Sequence, residues 1–334
     1  VTGADGSLAA AWKRLTPGRR VHGIAATLLP YTAAGEIHWA AFERHLRRTH
    51  ASGLEVAVNL DTGFGDLLTA REREAVLDAT RAALGAGVRF YAGAYPHEAV
   101  GLVPTYREAI GAIEHRGGVP VIVQCPSMHD MPPAKKAALY AEVAACSEHG
   151  VLGFELSQRF APHGEIWDDE TFARLLEIPK LLGTKHSSLD RATELRRLAV
   201  RDRTRPDFRI YTGNDLAVDM VAYGSDYLLG LATFAPEAFS ARDRAMADGD
   251  LSWLVINDAL QHLGNVAFRE PIPAYKHSAA LFLHLTGSLT GAAIHPRAPR
   301  RTSSDRVLLL DCAIRLGLLE DREKAWRERV EPFL

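Results

Sequence analysis

Lys185 ends an apolar run, KLLGTKHS at 180–187, that reads as a β-strand in an alternating strand–helix chain. An amine at the tip of a buried strand has surroundings that disfavour its charged form, and a neutral amine attacks carbonyls. That placement points to imine formation. Asp61 stands at the tip of an earlier run, EVAVNL at 55–60. Its carboxylate could carry a proton if burial raises its pKa. Two plainer roles compete, an ion pair with Lys185 or a cap on the helix that follows. Glu155, His186, His129 and His97, each at or just past a strand end, are secondary acid–base candidates. A histidine in such a place is more often a hydrogen-bonded pocket liner.

The elements that must hold these groups repeat eight times. The strand candidates are 21–30, 55–60, 88–94, 119–126, 151–157, 180–187, 208–214 and 226–234. They are short and mostly apolar without clean alternation, as parallel strands covered by helices are. Amphipathic helices lie between them. Residues 38–51 place Phe42, Leu46 and Thr49 on one face, and 134–148 place Ala138, Tyr140, Val143 and Ala144 toward a core. Thr69 caps the segment beginning at Ala70, and Asp169 begins the one carrying Phe172, Leu175 and Leu176. Eight strand–helix repeats predict closure into an α/β (β/α)8 TIM barrel. A doubly wound open sheet would show a Gly-rich phosphate turn after its first strand, and ATLLPYTAAGE is not one. The expected divisions are an N-terminal tail or helix over 1–20, a barrel over 21–247 and a C-terminal helical extension over 248–334.

Composition excludes several classes. With 334 residues, 47% hydrophobic and 24% charged, the chain can bury a large core and is too apolar for disorder. A net charge of −2 creates no bulk field toward nucleic acid or a membrane surface. The basic stretch from Arg297 to Arg306 reads as a solvated loop. Cys125, Cys146 and Cys312 are far apart and form neither a disulfide frame nor a zinc motif. No window of 18 apolar residues would span a membrane, and the first twenty residues lack the pattern of a signal peptide. A cytoplasmic protein is expected.

Four marks, taken in order along the chain, resemble the dihydrodipicolinate synthase/N-acetylneuraminate lyase family of class I aldolases. The first strand ends in Leu29-Pro30-Tyr31 followed by GEIHW, and the second runs into NLDTGFGDLLTARERE, where Thr62-Gly63 match two positions of the family's GTTGE segment. The sixth gives Gly183-Thr184-Lys185, similar to the Gly-x-Lys of the imine lysine. The seventh gives Tyr211-Thr212-Gly213-Asn214-Asp215, similar to a Ser-Gly-Asp-Asp turn at the substrate. The resemblance spans about Gly23 to Leu319. It implies a barrel with a C-terminal helical bundle, a homo-oligomer (dimer or tetramer), and Schiff-base chemistry on a 2-oxo acid such as pyruvate, with no cofactor. It also implies a substrate-carboxylate site at Thr62 and the Gly63 amide, and an arginine at the site entrance, Arg159, suited to a second carboxylate.

The chain departs from the family where protons move. Phe154 falls on the catalytic tyrosine, Asp61 on the first hydroxyl of GTTGE, and Ser127-Met128 on the tyrosine pair after strand four. No tyrosine occurs between Tyr140 and Tyr211, so the loss at strand five does not depend on the alignment. Three readings follow. One is a class I lyase with Lys185 as imine former and Asp61 as proton carrier. The second is a relative that binds a small molecule without catalysis. The third is a metal-dependent barrel lyase using Asp61 with His97, His129 or His186.

Overall fold

Strands buried on both faces need no alternation, and the apolar runs become such strands. In the computed structural model, which describes residues 11–16, 18–319 and 321–334, eight strands close in sequence order into a parallel barrel. They are β1 (Gly23–Ala26), β2 (Glu55–Val58), β3 (Phe90–Ala94), β4 (Gly118–Ile122), β5 (Val151–Leu156), β6 (Leu181–Ser187), β7 (Arg209–Thr212) and β8 (Asp226–Leu229). The predicted runs overshoot at their C-terminal ends because the chain stays buried there after leaving the ladder. Leu28, Leu29, Leu231 and Phe234 are buried but lie beyond their strands. The helices are α1 (Trp39–Ala51), α2 (Ala70–Leu84), α3 (Leu102–His115), α4 (Pro133–Ala145), α5 (Asp169–Leu176), α6 (Arg191–Thr204) and α7 (Pro236–Ala247). The C-terminal extension adds α8 (Ser252–Ala267), α9 (Tyr275–Leu285), α10 (Asp305–Arg315) and α11 (Arg322–Arg329). The expected fold class is the observed one.

The described residues form two compact units, one of residues 11–16, 18–22 and 85–228, the other of residues 23–84, 229–319 and 321–334. In the first, β5 and β6 make the longest ladder, with Phe154 opposite Lys185 and Glu155 opposite His186. The segment ahead of β1 makes a single 3-10 turn at Ala11–Arg14. Arg14 pairs with Asp202, and Arg19 with Asp226, which also accepts from Arg209 and the His22 amide. The rest of the expected tail, residues 1–10, lies outside the described residues.

In the second unit, β1 and β2 pair in parallel from Ile24 with Glu55. Helix α1 buries Phe42, Leu46 and Thr49, as its spacing predicts. Thr69 and Glu72 form a reciprocal capping box at the head of α2. His45 of α1 is buried and its Nε2 lies 2.7 Å from the Thr233 hydroxyl, which also accepts from the Leu28 amide. Burial, reinforced by Arg48, pushes its pKa down to about 3.

His45 is therefore neutral in the fold but titrates near its ordinary 6.5 when unfolded. Its contribution is complete above pH 6.5 and is lost progressively as the pH falls toward 3, by on the order of a few kcal/mol. Denaturant melts of the wild type at pH 7 and pH 4 should show this loss, and His45→Gln should show a shallower one. Equal slopes would remove His45 from the account.

Three local expectations change. Ala138 is exposed, and Lys136 takes its place on the buried face of α4 beside Tyr140, Val143 and Ala144. The cap of α5 is Asp168, whose side chain accepts from the Thr171 amide at 2.6 Å. The basic stretch is not simply solvated. Arg301 donates to the carbonyls of Ala267, Arg269 and Glu270 around the end of α8, and Arg306 to that of Arg329. Open carbonyls at helix ends attract such donors. Cys125, Cys146 and Cys312 are free. Among the described residues, no helix is long and apolar enough to cross a membrane.

Candidate active site

Side chains alternate along a strand, and β6 separates its groups accordingly. His186 turns toward the helix layer. Its Nδ1 lies 2.6 Å from Glu155 Oε2, and Glu155 Oε1 accepts from the Trp167 amide at 3.0 Å and from Arg197 of α6 at 3.3 Å. All three side chains are buried. Burial alone would raise the Glu155 pKa, but His186 and Arg197 outweigh it and hold the carboxyl below its ordinary range. Glu155 and His186, both secondary acid–base candidates by sequence, are thus part of an internal hydrogen-bonded network anchored by the Glu155–Arg197 ion pair.

Lys185, one residue earlier, projects from the opposite face of β6. It is 5% exposed, and its Nζ sits 4.3 Å from the centre of the Phe154 ring. Gly213, just past β7, leaves the room it needs. A Cβ there would stand 2.0 Å from Ser187 Oγ and 3.1 Å from Lys185 Cε. Gly213→Ala should therefore displace both side chains and cost about 1–3 kcal/mol. Thermal melts should show the loss, and an unchanged melting temperature would contradict this packing argument.

Asn214, next in the chain, is buried with both ends of its amide bonded to protein. Nδ2 donates to Glu194 at 2.5 Å, and Oδ1 accepts from the Leu189 amide at 2.5 Å. Glu194 also accepts from Thr212 and Ser225. Burial raises its pKa, opposed by His186 and by these hydroxyl and amide donors. Asn214 therefore ties the loops after β6 and β7 together. Arg159 is exposed in the loop after β5, where its amide donates to Ser157 Oγ at 3.3 Å.

In the second unit the turn after β2 builds a buried polar cluster. Asp61, Thr62 and Gly63 form a 3-10 turn flanked by Asn59 at φ 52° and Phe64 at φ 58°. A phenylalanine in the left-handed region costs about 1–2 kcal/mol, so packing must hold the turn. The Phe64 ring meets Tyr31 edge-on and tilts against His295. Asp61 Oδ1 pairs with Lys276 Nζ at 2.7 Å, and Oδ2 accepts from Tyr275 Oη at 2.7 Å. Tyr275 Oη also lies 2.8 Å from Thr62 Oγ1. Gly230 packs beside them, where a Cβ would lie 3.0 Å from both Thr62 Oγ1 and Tyr275 Cε2. The Gly63 amide already donates to the Leu60 carbonyl at 3.0 Å, so a substrate carboxylate would have to compete for it.

Sequence reading found Asp61 and Thr62 but missed Tyr275 and Lys276. The available signal was a Tyr-Lys pair opening α9, which goes on to bury the apolar run Ala279–Leu283. Polar groups buried with such a helix require partners. His97 is exposed, and His129 Nε2 lies 3.3 Å from Asp130. Among the described residues, no three His, Cys, Asp or Glu side chains gather as a metal would need.

Comparison with known proteins gives one family and one fold. The family model "Protein of unknown function (DUF993)" matches residues 20–334. No curated protein matches the sequence. Dihydrodipicolinate synthase from Thermotoga maritima superposes with a TM-score of 0.77 at 19% identity, covering 90% of this chain and 100% of its own. YagE, a prophage protein of the dihydrodipicolinic acid synthase family from E. coli K12 solved in complex with pyruvate, gives 0.78 at 16% identity, covering 89% and 99%. KD(P)GA from T. tenax gives 0.70 at 18% identity, covering 89% and 100%. The resemblance seen in four sequence marks is thus present in the fold across most of the chain.

Proposed function

The chain belongs to the DUF993 family, and for it we propose a class I carbon–carbon lyase that works through an imine on Lys185. One observation carries the reading: a lysine 5% exposed at the end of a barrel strand, over an aromatic ring, with a glycine opposite its side chain. In barrel enzymes, chemistry occurs at that end of the strands. The pyruvate held by the similarly folded YagE supports a 2-oxo acid as the carbonyl partner.

In the proposed reaction the neutral amine adds to the substrate ketone, one proton is taken up from solvent and water leaves, giving an iminium. The iminium accepts the electron pair released when an adjacent C–C or C–H bond breaks, and becomes a neutral enamine. The reverse sequence makes the bond. Phe154 and Gly213 shape the space around the amine, and Thr62 meets the polar end of the substrate. Arg159, on its exposed loop, suits a second carboxylate. Asn214, tied to Glu194 and to the Leu189 amide, holds the turn beside the substrate. Asp61, bonded to Tyr275 and Lys276, handles protons. A cytoplasmic location and assembly as a dimer or tetramer belong to the same proposal.

Borohydride reduction in the presence of pyruvate and a panel of other 2-oxo acids tests it. Intact mass should rise by one reduced adduct with at least one of them. No adduct across the panel, or 2-oxo acid binding that survives Lys185→Ala unchanged, would favour a binder without catalysis.

A further inference from the structure

The segment ahead of β1 and the N-terminal ends of β3 to β7 border two adjoining cavities, of about 780 Å³ and 580 Å³. Both lie within the first compact unit, and they share Arg20, Asp207 and Arg209. Among the described residues, eight lysine and arginine side chains line them against three aspartates, an excess of five positive charges in a chain whose net charge is −2.

The carboxylates present are divided among several cations. Asp202 pairs with Arg14 at 2.6 Å and with Arg201 at 2.7 Å. Asp226 pairs with Arg19 and with Arg209, each at 2.8 Å. Each cluster therefore keeps one positive charge. The guanidiniums are also crowded. Arg19 and Arg201 both donate to the Gly224 carbonyl at 3.3 Å, and a Cβ on Gly224 would stand 3.6 Å from both Arg14 and Arg201. Arg20, exposed where the two cavities meet, makes no hydrogen bond or ion pair with the described residues. Like charges held this closely repel, and an anion bound among them removes the repulsion.

We propose that these cavities bind a diphosphate or triphosphate group. Guanidinium donors match phosphate oxygens in pairs. One phosphate brings only about −1.5 to −2 at pH 7, so two or three are needed to answer the excess. The phosphates occupy the larger cavity, with Arg20 closing on them from the rim. The smaller has buried Tyr91, Tyr211 and Leu152 at its base, with His22 Nδ1 3.1 Å from Tyr211 Oη. A nucleoside attached to the phosphates would lie there. Both volumes are of small-molecule size, which favours a free anion over a strand of nucleic acid. Leu182, which lines the smaller cavity, precedes Lys185 by three residues of β6, about 10 Å of strand. The phosphate site is thus separate from the imine lysine and does not depend on it.

Calorimetric titration of the whole protein with tripolyphosphate, ATP, citrate and a single-stranded oligonucleotide tests the assignment. Tripolyphosphate or ATP should bind once per chain. Arg20→Glu should weaken that binding at least about fivefold, the scale of one exposed charge-assisted contact, with the melting temperature unchanged. Arg20→Gln should fall between that variant and the wild type. Arg107→Glu makes the same charge change at an exposed arginine of α3 outside the cavities, and should leave affinity within about twofold. ATP binding about tenfold more tightly than tripolyphosphate would assign the smaller cavity to a nucleoside, and equal affinities would assign the site to the phosphate chain alone. Failure of both phosphate ligands to bind overturns the proposal. So does a loss below about fivefold in Arg20→Glu, or an equal loss in Arg107→Glu. Citrate or the oligonucleotide binding more tightly than either phosphate ligand would overturn it as well.

Discussion

Lys185→Ala should lower turnover by roughly 10⁴- to 10⁶-fold, the scale on which loss of a nucleophile acts when the remaining machinery survives. Fold stability should change little in comparison. The side chain gives up its contact with the Phe154 ring, a small loss beside the loss of turnover, so melting should report a folded protein. Lys185→Arg should be as inactive, because a guanidinium stays protonated and cannot add to a ketone. Steady-state rates with the substrate found by reductive capture, measured beside thermal melts, check this. Residual turnover above about one hundredth of wild type would mean that the covalent step lies elsewhere.

Glu155→Gln should have the largest effect on stability. The wild-type carboxylate answers His186, Arg197 and the Trp167 amide in a site closed to solvent. Removing its charge leaves Arg197 with Asp169 at 2.9 Å and the Trp167 carbonyl, but without its buried counter-ion. Breaking a buried pair from one side costs about 3–5 kcal/mol. The carboxyl is held below its ordinary 4.5 in the fold, so its contribution is present above that pH and is lost as the pH falls through the lower value. Urea melts should show the deficit of Glu155→Gln at pH 7 narrowing in acid. A deficit under about 1 kcal/mol at pH 7 would mean that the network is dispensable.

The part of the site closest to the chain's own periodicity was the part legible in sequence. Each strand is an apolar run between helices, and such runs need no distant partner to be recognised. Lys185 could be found because it ends one of them. The same alternation also carried information that a residue-type search overlooks. With Lys185 on one face of β6, His186 must lie on the other, which removes it from the barrel interior. Glu155, paired with His186 in the ladder, goes with it.

Tyr275 was illegible for a different reason. It stands 214 residues from Asp61, and nothing in the local pattern of α9 says which strand tip its hydroxyl meets. Asn214 shows the converse. Its place in a family-like turn suggested substrate contact, and the structure adds structural partners, Glu194 and the Leu189 amide, that the motif did not indicate. Motif position gives a residue's neighbourhood, and only its partners show whether it has bonding capacity left for a ligand.

Peptide mapping after reductive capture tests the central claim most directly. Two lysines are buried at the strand ends or at the head of the extension, Lys185 above Phe154 and Lys276 against Asp61. A protein treated with a 2-oxo acid and borohydride, digested and sequenced by tandem mass spectrometry, should carry its single adduct on the peptide containing Lys185. An adduct on Lys276, or scattered over exposed lysines with Lys185 unmodified, would contradict the account.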